Sequence, residues 1–147
     1  MNKIETLIFK PDHTDLIELR PHDKANIDLD MFKSLAYMDA EKAQMQTLIA
    51  DGRIIAIIGY MQLWPGVLEV FVLPSIYIPR HPVAFVRKIR RYLKSLEHTL
   101  DTHRIQSTAR ADDDTTRWMI ALGFAPEGFL KKYTRDKSNY VMWARVR

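Results

Sequence analysis

The sequence predicts an α+β domain of three layers, an α/β arrangement in which helices flank a mixed, mainly antiparallel sheet. Three observations predict it. Residues 44 to 73 read as three meandering strands separated by turns. A long amphipathic helix and a further strand follow, and a helix between consecutive strands requires a locally parallel crossover. Two closing segments, Phe124 to Tyr133 and Tyr140 to Val146, then read as an antiparallel pair. The 147 residues suit one domain running over 1–147, since no repeat, low-complexity tract or linker divides them.

Each element has its own warrant. Ile4 to Lys10 reads as a short strand. Pro11-Asp12-His13-Thr14 offers Asp or Thr as the cap of a helix through Leu16, Ile17 and Leu19, which Pro21 is expected to break. Ile27, Leu29, Phe32, Leu35 and Ala36 form an apolar stripe that predicts a helix over Ala25 to Tyr37. Asp51-Gly52 predicts a hairpin turn between Gln44–Ala50 and Arg53–Leu63, and Trp64-Pro65-Gly66 predicts the turn into Val67–Leu73. Pro82 suits the first position of a helix reaching Leu100, with Val86, Ile89, Leu93, Leu96 and Leu100 on its buried face. Arg87, Arg91, Lys94 and His98 recur on the opposite face. Arg104 to Ala109 is a strand, Asp112 caps the next helix, and Gly123 stops it.

Composition narrows the function classes. Hydrophobic content of 47% against 27% charged residues describes a folding chain, not a disordered one. No apolar run is long enough to cross a bilayer, and the N-terminus lacks a signal peptide's apolar core, so a cytosolic origin is expected. Cysteine is absent, which excludes disulfides and thiolate metal sites. Residues 1 to 73 hold 7 Lys/Arg against 11 Asp/Glu, whereas residues 74 to 147 hold 15 against 7. The basic second half predicts an anionic partner: nucleic acid, a phosphorylated cofactor or an acidic protein. Nucleic acid is the weakest of these because it rests on charge alone. The five histidines show no His-x-x-x-His spacing, and Asp112-Asp113-Asp114 lacks a calcium loop's glycine and terminal glutamate, so no metal is expected.

The element order and the segment from Asp112 to Gly123-Phe124 resemble the GNAT N-acetyltransferase superfamily. The late motif of that superfamily has Asn, a small residue and Leu-Tyr, and ends in Gly-Phe. Here Asp112, Trp118 and Met119 stand at the Asn, Leu and Tyr positions, and Gly123-Phe124 matches outright. Arg80-His81-Pro82, Arg117-Trp118, Leu122-Gly123-Phe124 and Leu19-Arg20-Pro21-His22-Asp23 also resemble a phage-encoded GNAT-like family that includes a small internal virion protein of short-tailed phages.

The resemblance implies a cleft for acetyl-CoA. Backbone groups of Phe71, Val72 and Leu73 would meet its pantetheine arm. The loop through Arg80, His81 and Val83, with Arg87, would hold the pyrophosphate, and Asp112 and Trp118 would border it. The usual Arg/Gln-x-x-Gly-x-Gly/Ala loop reads Arg80-His81-Pro82-Val83-Ala84-Phe85 here, with no glycine and no N–H on Pro82. Glu69 is the expected base, acting through water, against the alternative of an outward strand residue. Met119 has no proton to give where a Tyr is usual, leaving Tyr77, Tyr133 or Tyr140 as substitutes. Arg20 and Asp23 border the expected acceptor site, although a local turn stabilised by Pro21 and Asp23 explains them better. Two functions stay open. One is a phage-encoded acyl-CoA N-acyltransferase acting on an amine in the host cytoplasm. The other is an inactive GNAT-like protein, packaged in the virion or bound to a host or phage protein, with a homodimer left open.

Overall fold

The computed structural model describes residues 3–39 and 42–147. Strand β1 (Glu5–Ile8) leads into three short helices, α1 (His13–Leu16), α2 (Pro21–Asn26) and α3 (Leu29–Leu35). The meander β2 (Ala43–Ala50), β3 (Arg53–Trp64) and β4 (Val67–Pro74) follows. Then come α4 (Pro82–Thr99), β5 (Arg104–Arg110), α5 (Asp113–Ala121), β6 (Ala125–Leu130) and β7 (Tyr140–Val146). The strands form one sheet in the order β1-β2-β3-β4-β5-β7-β6, antiparallel at every step except the parallel pair β4–β5. The α+β class and the parallel crossover agree with the sequence.

Local chemistry sets the joints. Asp51 and Gly52 both have positive φ, 53° and 73°, the backbone of a two-residue hairpin turn whose twist matches its strands. Gly123 ends α5 at φ 90°, and a Cβ there would stand 2.8 Å from the Arg145 guanidinium. Arg145 bonds the Leu122 carbonyl and, at 2.8 Å, Glu97, which ties α5, β7 and α4 together.

The N-terminal helices differ from expectation. Helix α1 stops at Leu16, where Ile17 turns extended, short of the expected Leu19, and Pro21 opens α2 instead of ending α1, because its ring fits the first helical turn. The helix expected over Ala25 to Tyr37 is two helices. Asp28 interrupts it: its side chain accepts from the N–H groups of Asp30 and Met31 at 3.0 and 3.4 Å and caps α3. Between α1 and α2 the chain is extended, and Leu19 pairs with Ser75 just beyond β4. Ile76 N–H also donates to the Glu18 carbonyl at 2.9 Å. These bonds pin α2 beside the end of β4.

Strand alternation divides the core into two layers. On one face Ala56, Ile58, Tyr60, Leu68 and Val70 pack with Phe85, Ile89, Leu93 and Leu96 of α4 and Met119 of α5. On the other, Ile57 and Leu73 pack with Ile17, Leu19, Phe32 and Leu35. Burial on both faces explains why β3 reads as a continuous apolar run from Ile55 to Tyr60. Leu93→Ala would leave a cavity between α4 and the sheet and is expected to cost about 2–5 kcal/mol in urea unfolding; a cost near zero would show that α4 packs elsewhere.

Candidate functional site: a cleft through the sheet

Strands β4 and β5 pair over only three rungs, Val67–Arg104, Leu68–Ile105 and Glu69–Gln106. Beyond them the strands part. Ser107 Oγ donates to the Val70 carbonyl at 2.9 Å at the apex of the resulting fork. A cavity of about 560 Å³ opens there, walled by Val70, Val72 and Pro74 on one side and Ser107 to Arg110 on the other. It passes through the sheet. Ile89, Tyr92, Leu93, Trp118 and Met119 line its α4–α5 end, and Arg20, His22, Asp23 and Ile27 line its α2 end. The lining is mostly apolar with a few convergent polar groups, the usual make-up of a small-molecule site.

The structure places the expected cofactor residues unequally. Val72 and Trp118 line the cleft. Phe71 and Leu73 alternate onto the opposite face, where Phe71 meets Phe32 edge-on at 5.0 Å; their backbone groups, like that of Ser75, turn toward β3, so of the three expected residues Val72 alone presents backbone N–H and carbonyl to the fork, on the side of the Val70 carbonyl. Asp112 caps α5, its Oδ1 accepting the Thr115 N–H at 2.8 Å, so the start of α5 opens on the cleft through Asp114 and Thr115. Val83 and Arg87 lie on the outer face of α4, in a shallow basic groove with Arg90, Arg91 and Lys94. Arg80 lies over the Tyr77 ring at 5.1 Å and is exposed. His81 is buried at the start of α4, its Nε2 3.6 Å from Asp51.

Glu69 occupies the last rung of the parallel ladder, partly buried, and its side chain belongs to the face of Phe71 and Leu73. It therefore stands at the apex of the fork without lining the cleft.

The glycine positions of the loop have been filled in two ways. Val83 is 68% exposed, so its side chain points away from the interior. Phe85 is fully buried and stacks on Trp118 with ring centroids 5.5 Å apart and planes 4° from parallel. Phe85 N–H is bonded to the His81 carbonyl, and Pro82 has none, so Val83 and Ala84 retain the free N–H groups of the first turn.

Among the tyrosines, Tyr77 donates to Glu18 at 2.7 Å outside the cleft, and Tyr133 is exposed. Tyr140 lines the cleft, and its hydroxyl lies 3.1 Å from His22 Nε2. Burial, followed by the charge of Asp23, holds the Tyr140 hydroxyl above the usual tyrosine range, so it keeps its proton through neutral pH. Arg20 Nε binds the buried Asp23 at 2.8 Å, and both line the α2 end. His22, Asn26, Tyr92, Arg110 and Thr115 carried no functional signal at the level of spacing. The Arg20–Asp23 segment was the one pointer to α2.

This combination has structural counterparts. No family sequence model matches the chain, and no curated protein matches it. Solved structures do. Ard1 from Thermoplasma volcanium superposes with a TM-score of 0.79 at 15% identity, over 97% of both chains. A spermidine N-acetyltransferase from Vibrio cholerae, in complex with CoA and spermine, gives 0.75 at 10% identity over 98% of this chain and 95% of that one. A ribosomal-protein-S5-alanine acetyltransferase from Vibrio fischeri gives 0.73 at 14% identity, over 99% and 94%. The fold is that of the GNAT acetyltransferases. Within that GNAT frame, the fork between β4 and β5 is the feature that distinguishes the sheet from a plain mixed one.

The α5 cap is directly testable. Asp112→Ala removes the acceptor of the Thr115 N–H and is expected to cost about 1 kcal/mol, read as a lowered Tm; an unchanged Tm would mean that the cap does not hold α5.

Proposed function

We propose that the protein is an acyl-CoA-dependent N-acyltransferase of the phage GNAT-like type, transferring acetyl to an amine. The observation that carries this reading is the cleft that crosses the sheet between the diverging ends of β4 and β5. A slender, mostly apolar passage with free backbone edges suits a pantetheine-like arm, which needs alternating apolar contact and amide hydrogen bonds. When bound, the thioester would supply an activated acyl group.

The chain's own residues then divide the work. Of Phe71, Val72 and Leu73, Val72 offers its backbone groups along one edge, while Val70, Val72 and Ala109 exclude water beside the acyl group. Val83 and Ala84 N–H groups, with the positive end of the α4 dipole, favour the phosphorylated end. Arg80 and Arg87 add side-chain cations beside a loop that lacks the usual glycines. Glu69 at the apex takes the amine's proton through water, with the acceptor entering from the α2 side past Arg20 and Asp23.

Val83, Phe85 and Met119, standing where two small residues and a Tyr are usual, favour a second reading. In it the protein keeps the fold but acts by contact, as a virion component or as a binder of a host or phage protein. Acetyl-CoA titration separates the two. Calorimetry is expected to show saturable binding by the native protein and its loss in Ala109→Trp, whose ring fills the cleft. Absence of heat with native protein at millimolar acetyl-CoA would favour the contact reading.

A further inference from the structure

At the α2 end of the cleft, a chain of hydrogen bonds joins three elements distant in sequence. Asp136 N–H donates to Asn26 Oδ1 at 3.1 Å. That bond fixes the Asn26 amide, so its Nδ2 faces His22, donating to the His22 carbonyl at 3.0 Å and lying 3.4 Å from His22 Nδ1. The Asp136 carboxylate also faces Nδ1 but at 3.9 Å, beyond hydrogen-bond reach, so the nearer amide N–H sets the tautomer: Nδ1 accepts from it, which assigns the imidazole proton to Nε2. His22 Nε2 then donates to the Tyr140 oxygen at 3.1 Å. Among the described residues no other group hydrogen-bonds to that oxygen, so the phenolic proton is left over for whatever occupies the cleft.

The cleft needs such a donor. Met119, buried on its floor, has no proton. Ser107 Oγ is committed to the Val70 carbonyl. Tyr92, the other phenol in the lining, is partly buried on α4 and has no imidazole partner among the described residues. The geometry points to Tyr140 as the proton donor to the leaving sulfur of a CoA thioester, with Asn26 and His22 as positioning residues that direct its proton into the cleft. This rests on the cofactor reading above and names a residue that the loss of a Tyr at position 119 left unassigned.

The step balances. The attacking nitrogen forms the C–N bond and the C–S bond breaks, its electron pair departing with sulfur. Tyr140 gives that sulfur its proton, while Glu69 takes the one that the nitrogen loses on becoming acyl-substituted and returns it through water to the phenolate. No proton or charge remains on the enzyme. The charged and titratable groups facing the hydroxyl are Asp23, Arg110, Asp136 and Arg20, besides His22 itself.

The test uses the full chain with CoA, and desulfo-CoA as the blank. The difference in ultraviolet absorbance between the two complexes follows the bound thiolate against pH, without any need for an acceptor. A donor aimed at sulfur stabilises the thiolate, so Tyr140→Phe is expected to raise the bound thiol's midpoint by about one pH unit or more. Asn26→Asp keeps the hydroxyl but accepts from His22 Nδ1–H. That change makes Nε2 the acceptor of the Tyr140 proton and is expected to shift the midpoint the same way. Identical midpoints in wild type and both variants would overturn the inference. A shift in Tyr140→Phe alone would keep the donor and overturn the positioning role. Failure of the wild-type chain to hold CoA would overturn the cofactor reading itself, an outcome distinct from unchanged midpoints in complexes that form.

Discussion

Three rungs of parallel ladder hold the two halves of the sheet together between β4 and β5, and the place where that ladder stops governs the rest of the molecule. Up to Glu69–Gln106 the sheet is continuous and its backbone groups are paired. Past that rung the strands part, leaving free edges in an otherwise dry interior, which is costly unless a ligand or water meets them. Helix α4 makes the separation tolerable. Its buried face of Phe85, Ile89, Leu93 and Leu96 covers the sheet, and Arg145 ties it to α5 and β7. The fork is thus held open by packing around it, not by strain within it.

The two ends of the cleft differ in chemistry. At the α4–α5 end the Phe85–Trp118 stack takes up space that glycines would leave open, so in the proposed function anion binding would fall to the Val83 and Ala84 N–H groups and side-chain cations. At the α2 end, polar groups from α2, the loop near Asp136 and the start of β7 meet. This division suits a reaction in which a phosphorylated carrier enters from one face and a polar acceptor from the other. On the proposed reading, proton chemistry would lie at the opposite rim from Met119, at Tyr140 instead of α5.

Much of the architecture was legible because it is written in local patterns. The 3.6-residue stripe of α4, the Asp51-Gly52 turn, the Asp112 cap and Gly123 each need only neighbours in sequence to be read. The helix expected over Ala25 to Tyr37 failed for the same reason: its apolar stripe is real, yet the Asp28 side chain caps a new helix in the middle of it. The site was less legible. Resemblance carried Val83 and Arg87 to the cofactor, whereas the amphipathic pattern already set Arg87 on the polar face of α4, where the structure has it. Glu69 and Leu73 share a strand with Val72, but alternation sends them to the other face. The His22–Tyr140 contact spans 118 residues, and no spacing rule reaches that far.

Amide hydrogen exchange with and without acetyl-CoA tests the central claim most directly, because the free edges of the fork are backbone. Added protection is expected at Val72, within Ser107–Arg110 and in the first turn of α4, and nowhere else. Protection appearing instead along the outer face of α4 alone, or nowhere in the chain at saturating acetyl-CoA, would contradict it.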